Sequence, residues 1–222
     1  MINLSRYNRM IQRAFNNCNS KLNGELALIK SLTTGLVIFD IGARSDSDFQ
    51  QYRGIVHYFE PIKEFIDKLS GLSTVNMTSY YNNIGLSDDE AVLQYYPRYQ
   101  SFHNRIVSCK IDDSSNIILL RVITAKKYIE DNNISKIDFV KIDTEGHELR
   151  VLRGFGDKLS IVSQIQFEYG GTYKDTNTKL IDVISYLQKY GFTKFYYLSP
   201  SGNIMITDFS DHYNYCNILC ER

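Results

Sequence analysis

Tryptophan is absent from the 222 residues, proline occurs three times, and neither charge is in excess, because 25 Lys and Arg balance 25 Asp and Glu. Each shortage excludes something. A chain that grips a nucleic-acid backbone ordinarily needs a basic surplus to displace counterions, so zero net charge speaks against RNA or DNA as partner. With only Pro61, Pro97 and Pro200, helices and strands are rarely forced to stop. No apolar run is long enough to span a bilayer, and the amino terminus lacks the apolar core of a secretory signal. A soluble cytoplasmic protein with no membrane span is expected. The four cysteines are Cys18, Cys109, Cys216 and Cys220. The last two share one face of an extended run but lie roughly 13 Å apart along it, too far for a disulfide or a single zinc ion. Free thiols are therefore expected.

What is present suits one globular unit. Hydrophobic residues make up 43% of the chain, enough at this length for one sizeable core. No repeat, low-complexity tract or linker divides it. Residues 1–34 read as a helical segment packed on a core domain of residues 35–222. Within that segment Arg6, Arg9 and Arg13 fall on one helical stripe. Continuous apolar runs at 36–41, 55–59, 137–142 and 161–167 have the length and composition of strands buried on both faces. Further extended runs lie at 80–86, 91–96, 192–198, 204–207 and 213–220. Helical stretches lie at 46–52, 62–69, 124–131, 144–153 and 178–190, with Pro61 placed for a helix first turn. This alternation predicts an α/β fold with a mostly parallel sheet, an antiparallel edge strand and helices on both faces. Enzymes built this way bind ligands at the carboxyl ends of the strands.

Chemistry-bearing residues follow three of those strands. After the first come Asp40, Ile41, Gly42, Ala43 and Arg44. A lone Gly42 does not make the dinucleotide fingerprint. Asp46 and Asp48 would repel a pyrophosphate at this loop, whereas a cationic sulfonium suits it. After the second strand come Glu60 and Pro61. Glu60 stands about 20 residues beyond Asp40, the interval at which an acid accepts ribose hydroxyls. After the middle strand come Asp143, Thr144, Glu145, Gly146, His147 and Glu148. Asp143 and Glu145 suit a general base, a cation site, or the orientation of a donor amine. Glu168 ends the next strand. With Asp143, Glu145 and His147 it would make an oxygen-rich site for a divalent cation such as Mg or Mn. His57 reads as a packed histidine. His103 lies in the polar connection 99–114, a candidate lid. Tyr95, Tyr96 and Tyr99 suit either stacking on a ligand or plain packing.

The segment from Asp138 to Gly154 resembles the central D-x-x-K-I-D-x-E-G-x-E-x-x-x-L-x-G stretch of the FkbM family of methyltransferases. Supporting matches are Phe39-Asp40-Ile41-Gly42-Ala43, Phe59-Glu60-Pro61 and Asn83-Ile84-Gly85-Leu86-Ser87-Asp88, and together they span about residues 35–170. The resemblance implies a Rossmann-like class I methyltransferase fold with a mostly parallel seven-stranded sheet. It implies S-adenosylmethionine as donor and a hydroxyl acceptor, of a sugar or glycan or another small molecule. By position, Asp40, Gly42, Ala43 and Arg44 would line the donor, Glu60 and Pro61 would hold its ribose, and Ser87 and Asp88 would neighbour the adenine. Asp143 would sit near the transferred methyl, with Glu145, His147 and Glu168 as catalytic helpers. The chain departs from the family at Arg44 and Asp46, where Asn and a second Gly are usual, and at Ala125-Lys126, where Leu-Asp is usual. Two rival readings keep the fold: an RNA 2′-O-methyltransferase, and a binding protein that has lost its chemistry.

Overall fold

The apolar runs pair as their alternation predicts. In the computed structural model, which describes residues 14–222, the parallel strands are β1 (Val37–Ile41), β2 (Ile55–Phe59), β3 (Thr78–Asn82), β7 (Ile137–Ile142) and β8 (Val162–Tyr169). The strands β9 (Lys194–Tyr197), β10 (Ile204–Met205) and β11 (Cys216–Glu221) complete an eight-stranded sheet of order β10-β9-β11-β8-β7-β1-β2-β3. The sheet thus has one strand more than expected. β10 is the antiparallel edge member, and a second antiparallel strand, β11, is inserted between β8 and β9. β1 alternates Ile38 into one core cluster and Phe39 into another, one on each face of the sheet. Burial on both faces requires such uninterrupted apolar strands.

From β1 the chain winds outward through β2 to β3, then returns to lay β7 on the other side of β1. The point between β1 and β7, where the winding reverses, is where open α/β sheets leave a crevice. Several sequence expectations shift locally. The run 80–86 divides. β3 belongs to the main sheet, but β4 (Gly85–Leu86) joins β5 (Ala91–Tyr95) and β6 (Ile118–Ile123) in a second sheet of order β4-β6-β5. Asn83 sits at the break and donates to the Glu60 and Pro61 carbonyls at 3.1 and 2.9 Å. β6 is not anticipated by the sequence reading, although its run is apolar and of strand length.

Helix α3 (Lys63–Ser70) begins after Ile62 as its cap, so Pro61 shapes the preceding turn rather than the helix itself. The polar stretch 46–52 narrows to one 3₁₀ turn, Asp48–Gln51. The amino-terminal helices α1 (Ser20–Asn23) and α2 (Glu25–Ser31) are joined at Gly24, whose φ is 98°. A Cβ there would lie 2.6 Å from the Ser199 nitrogen, so these helices rest directly on the sheet's far end. Arg6, Arg9 and Arg13 lie outside the described residues. All four cysteines are free; Cys216 and Cys220 are buried in β11 and Cys18 and Cys109 exposed. Among the described residues no helix is long and apolar enough to cross a membrane.

The expected helix 144–153 starts late, as α6 (Glu148–Phe155). Residues 144–147 instead form a turn in which Glu145 and Gly146 take φ of 55° and 101°. One oxygen of the buried Glu148 carboxylate accepts from the Thr144 and Gly146 nitrogens at 3.0 and 3.1 Å, which holds that turn open. Further along α6, a Cβ on Gly154 would lie 2.0 Å from the Ser87 carbonyl oxygen. In a free helix Gly→Ala gains about 1 kcal/mol. Here Gly154→Ala should reverse sign and destabilise the fold by about 1–3 kcal/mol through overpacking, as measured by urea denaturation. An unchanged or raised midpoint would show that helix and strand are not in contact.

Candidate active site

The crevice at the switch point is built on a backbone contact. Gly42, at φ 83°, ends β1 so close to β7 that an added Cβ would lie 1.9 Å from the Asp143 carbonyl oxygen. The Asp143 nitrogen donates to the Ile41 carbonyl at 2.9 Å. The Gly42 and Ala43 nitrogens both donate to the Phe59 carbonyl, at 3.0 and 3.1 Å. The ends of β1, β2 and β7 are thereby tied into one rim.

Two cavities meet there and share Gly42, Arg44, Asp143 and Glu145. The first, of about 40 Å³, lies over β2 between Phe59, Glu60, Leu86, Tyr95 and Phe102. The second, of about 290 Å³, lies on the opposite side of Asp143, among Glu25, Asp46, Lys141 and Glu168. Ala43 lines only the second and Pro61 only the first. The first cavity is narrowed by Gln100 and Phe102, from the connection that follows β5. That connection is pinned to the 144–147 turn. Ser101 Oγ donates to the Glu145 carbonyl at 2.8 Å, and Arg105 forms an ion pair with the Glu145 carboxylate.

Glu60 is 3% exposed. Its two oxygens accept from the Arg44 nitrogen at 3.0 Å and the Ile62 nitrogen at 2.8 Å. Burial nevertheless dominates and pushes its carboxyl up to about 7. Each oxygen keeps a further lone pair. Across the rim, burial raises Asp143, but Lys141 and a hydrogen bond from Glu168 outweigh it and hold Asp143 below its ordinary value. Lys141 Nζ lies 3.2 Å from Asp143 Oδ2. Glu168 goes the other way: burial, then the Asp143 and Glu145 charges, raise it well above the usual carboxylate range. Within the pair the proton therefore favours Glu168 and the charge favours Asp143. Glu168 lies inside β8 rather than after it, because β11 extends the pairing through Glu168 and Tyr169.

Other expected site residues are placed differently. Asp40 is 1% exposed and lines neither cavity. One of its oxygens accepts from Ser47 Oγ, so it braces the loop after β1 from beneath, and its other oxygen has no partner. Ser87 and Asp88 lie behind the first cavity, whose wall at that point is Gly85 and Leu86. His147 is fully buried and apart from the carboxylates. Ser87 donates to Asp88 at 3.0 Å, so His147 Nε2 must donate to Ser87 Oγ, at 2.9 Å, and His147 Nδ1 accepts from His103 Nε2 at 2.9 Å. Both ring nitrogens are occupied. Burial, then His103 and Arg150, push the ring well below its ordinary value. With both nitrogens engaged, His147 links Ser87 to His103. His57, which burial pushes down to about 4, packs between Phe39 and Tyr80.

The expected divalent-cation site does not form. Among the described residues no three His, Cys, Asp or Glu side chains are grouped to hold a metal. Lys141 takes Asp143, Arg105 takes Glu145, and His147 faces the other way. Sequence reasoning also missed two residues of the second cavity. Lys141 was detectable as a lysine inside a strand otherwise buried on both faces. Glu25 was detectable because it shares a helical face with buried Leu28 and Ile29.

Comparison with known proteins gives a family match and distant structural likenesses. The methyltransferase FkbM domain matches residues 40–194. No curated protein matches the chain. Similar solved structures include a precorrin 8w decarboxylase from Methanobacterium thermoautotrophicum, 14% identical over 89% of each chain, with a TM-score of 0.43. A precorrin-6y C5,15-methyltransferase from Geobacter metallireducens is 14% identical over 89% of this chain and 88% of that one, with a TM-score of 0.43. A TehB-like SAM-dependent methyltransferase from Corynebacterium glutamicum is 10% identical over 99% and 97%, with a TM-score of 0.47. Likenesses this distant carry no argument about chemistry.

The burial of Glu60 has a measurable cost. Its folded value, about 7, stands above its ordinary 4.5, so the folded state binds the proton more tightly. The stability this contributes is full below about pH 4.5 and is lost as pH rises through about 7, at most about 3 kcal/mol. Urea denaturation of Glu60→Gln should accordingly gain on the unsubstituted protein between pH 5 and pH 8. A difference that stays constant across that interval would mean that Glu60 titrates normally.

Proposed function

The chain belongs to the FkbM family of methyltransferases, S-adenosylmethionine-dependent enzymes, and on that premise we propose that it methylates a hydroxyl group, of a sugar or glycan. The observation that carries this reading is the charged Asp143 carboxylate on the wall between two cavities, one of which also holds the buried Glu60. When bound, S-adenosylmethionine supplies a methyl group activated on a cationic sulfonium.

The residues fit that donor in three respects. Glu60 presents acceptor oxygens for the ribose hydroxyls. Gly42 lines both cavities with bare backbone, and the rim is acidic rather than phosphate-binding. Gln100 and Phe102 must yield when the adenosine enters, because the first cavity as it stands is far too small.

On the acceptor side, Asp143 takes the proton from the hydroxyl as its oxygen attacks, and Glu168 holds the carboxylate in place. The second cavity favours a neutral polyol over an RNA chain. Its carboxylates Glu25 and Asp46 are hydrogen-bond acceptors that suit hydroxyl donors and repel phosphates. Among the described residues the carboxylates do not group to hold a metal ion.

Calorimetry tests the donor side first. Both S-adenosylmethionine and S-adenosylhomocysteine should bind and NAD should not. Glu60→Gln should lose about tenfold to a hundredfold in affinity, the worth of one charge-assisted hydrogen bond. Binding of NAD alone would sink the reading. On the acceptor side, transfer of a labelled methyl group to a panel of methyl glycosides should be detectable. Asp143→Asn should cut turnover by about a hundredfold to ten-thousandfold with little change in donor affinity. Near-normal turnover by that variant would leave Asp143 a structural group.

A further inference from the structure

Residue 25 lies outside the segment matched by the family, yet its side chain reaches the transfer site. Glu25, on α2, is 7% exposed and lines the second cavity beside Lys141, Asp143 and Glu168. Its carboxylate is fixed from two directions. Asn23 Nδ2 donates to Oε2 at 2.7 Å, and Gln166 Nε2, from β8, donates to Oε1 at 2.9 Å. The same Oε1 lies 3.5 Å from Lys141 Nζ, which donates to Asp143 at 3.2 Å. One ammonium is thus divided between two carboxylates on different elements.

We propose that Glu25 is a positioning residue which, by sharing Lys141, leaves Asp143 a net negative charge with which to meet the donor's sulfonium. The charge count supports this. Burial lowers Lys141, but Glu25, Asp143 and Asp40 outweigh it, so the ammonium stays charged. Glu168 keeps its proton, and Glu145 is matched by Arg105. Arg44 at the rim also acts on Asp143, and Asp40 acts on Lys141, but both are the same with and without Glu25. With Glu25 the group Glu25–Lys141–Asp143 carries one negative charge; without Glu25, Lys141 neutralises Asp143 and the group carries none. A sulfonium distinguishes these two states, whereas the uncharged thioether of the product does not.

The test rests on the donor reading above and uses calorimetry of the full chain at low salt with S-adenosylmethionine and with S-adenosylhomocysteine. Glu25→Gln should weaken S-adenosylmethionine by about tenfold while S-adenosylhomocysteine stays within about twofold. Glu25→Asp, which keeps the charge, should restore most of the difference. A purely structural role would weaken both ligands in parallel. A parallel loss, or an unchanged ratio between the two ligands, overturns the proposal. Should Glu25→Gln fail to fold by circular dichroism, Glu25→Ala, which removes the same charge, carries the same measurement. It should give a loss confined to the sulfonium ligand, and an unchanged ratio there overturns the proposal equally. If the unsubstituted chain binds neither ligand, the donor reading fails and the proposal falls with it. Binding of both with an unmoved ratio removes the proposal alone.

Discussion

The site depends on the approach of the β1 backbone to the end of β7. Gly42 touches the Asp143 carbonyl so closely that no side chain fits between them, and this contact sits where the winding of the sheet reverses. Everything with chemical character is placed by it. The Phe59 carbonyl receives two nitrogens of the Gly42 loop, which brings the end of β2, and hence Glu60, to the same rim. Asp143 is carried to the wall between two cavities because its own nitrogen bonds back to β1.

Placing acids so deep requires compensation, and the fold supplies it unevenly. Glu60 has backbone donors but no cation bonded to it, so burial raises it to about 7. Asp143 has Lys141 and a protonated neighbour in Glu168, and remains charged. Glu148 has only backbone and hydroxyl donors, is likewise pushed to about 7, and spends its hydrogen bonds on holding the 144–147 turn. Three carboxylates thus reach different electrostatic states, set by which partners accompany them into low dielectric. The zero net charge of the chain hides this local imbalance, since the basic residues that balance the total are mostly elsewhere on the surface.

The sheet was legible because burial on both faces leaves a pattern that needs no tertiary knowledge: β1, β2 and β7 are apolar runs bounded by turns. The first-loop glycine, Glu60 and Asp143 were legible because each follows such a run. What escaped depended on pairing. β6 lies against β4 and β5 with Leu119 two-thirds exposed, and nothing local says which strands will receive it. His147 looked catalytic from its company in sequence, but the turn at Glu145 and Gly146 rotates it away from the acids and into contact with Ser87 and His103. Glu25 escaped notice as a site residue because its partners, Lys141 and Gln166, are more than a hundred residues away along the chain.

That turn also links the two cavities. Glu145 holds a left-handed φ without being glycine, a conformation that persists only when its surroundings enforce it. The surroundings are Ser101 on its carbonyl and Arg105 on its carboxylate, both from the connection that also sends Phe102 into the first cavity. Displacing Phe102 to admit a ligand therefore strains the same contacts that fix Glu145. Glu145 in turn helps raise the proton affinity of Glu168, and Glu168 donates to Asp143. The connection that lines the first cavity is thus tied, through Glu145, to the carboxylate pair that lines the second.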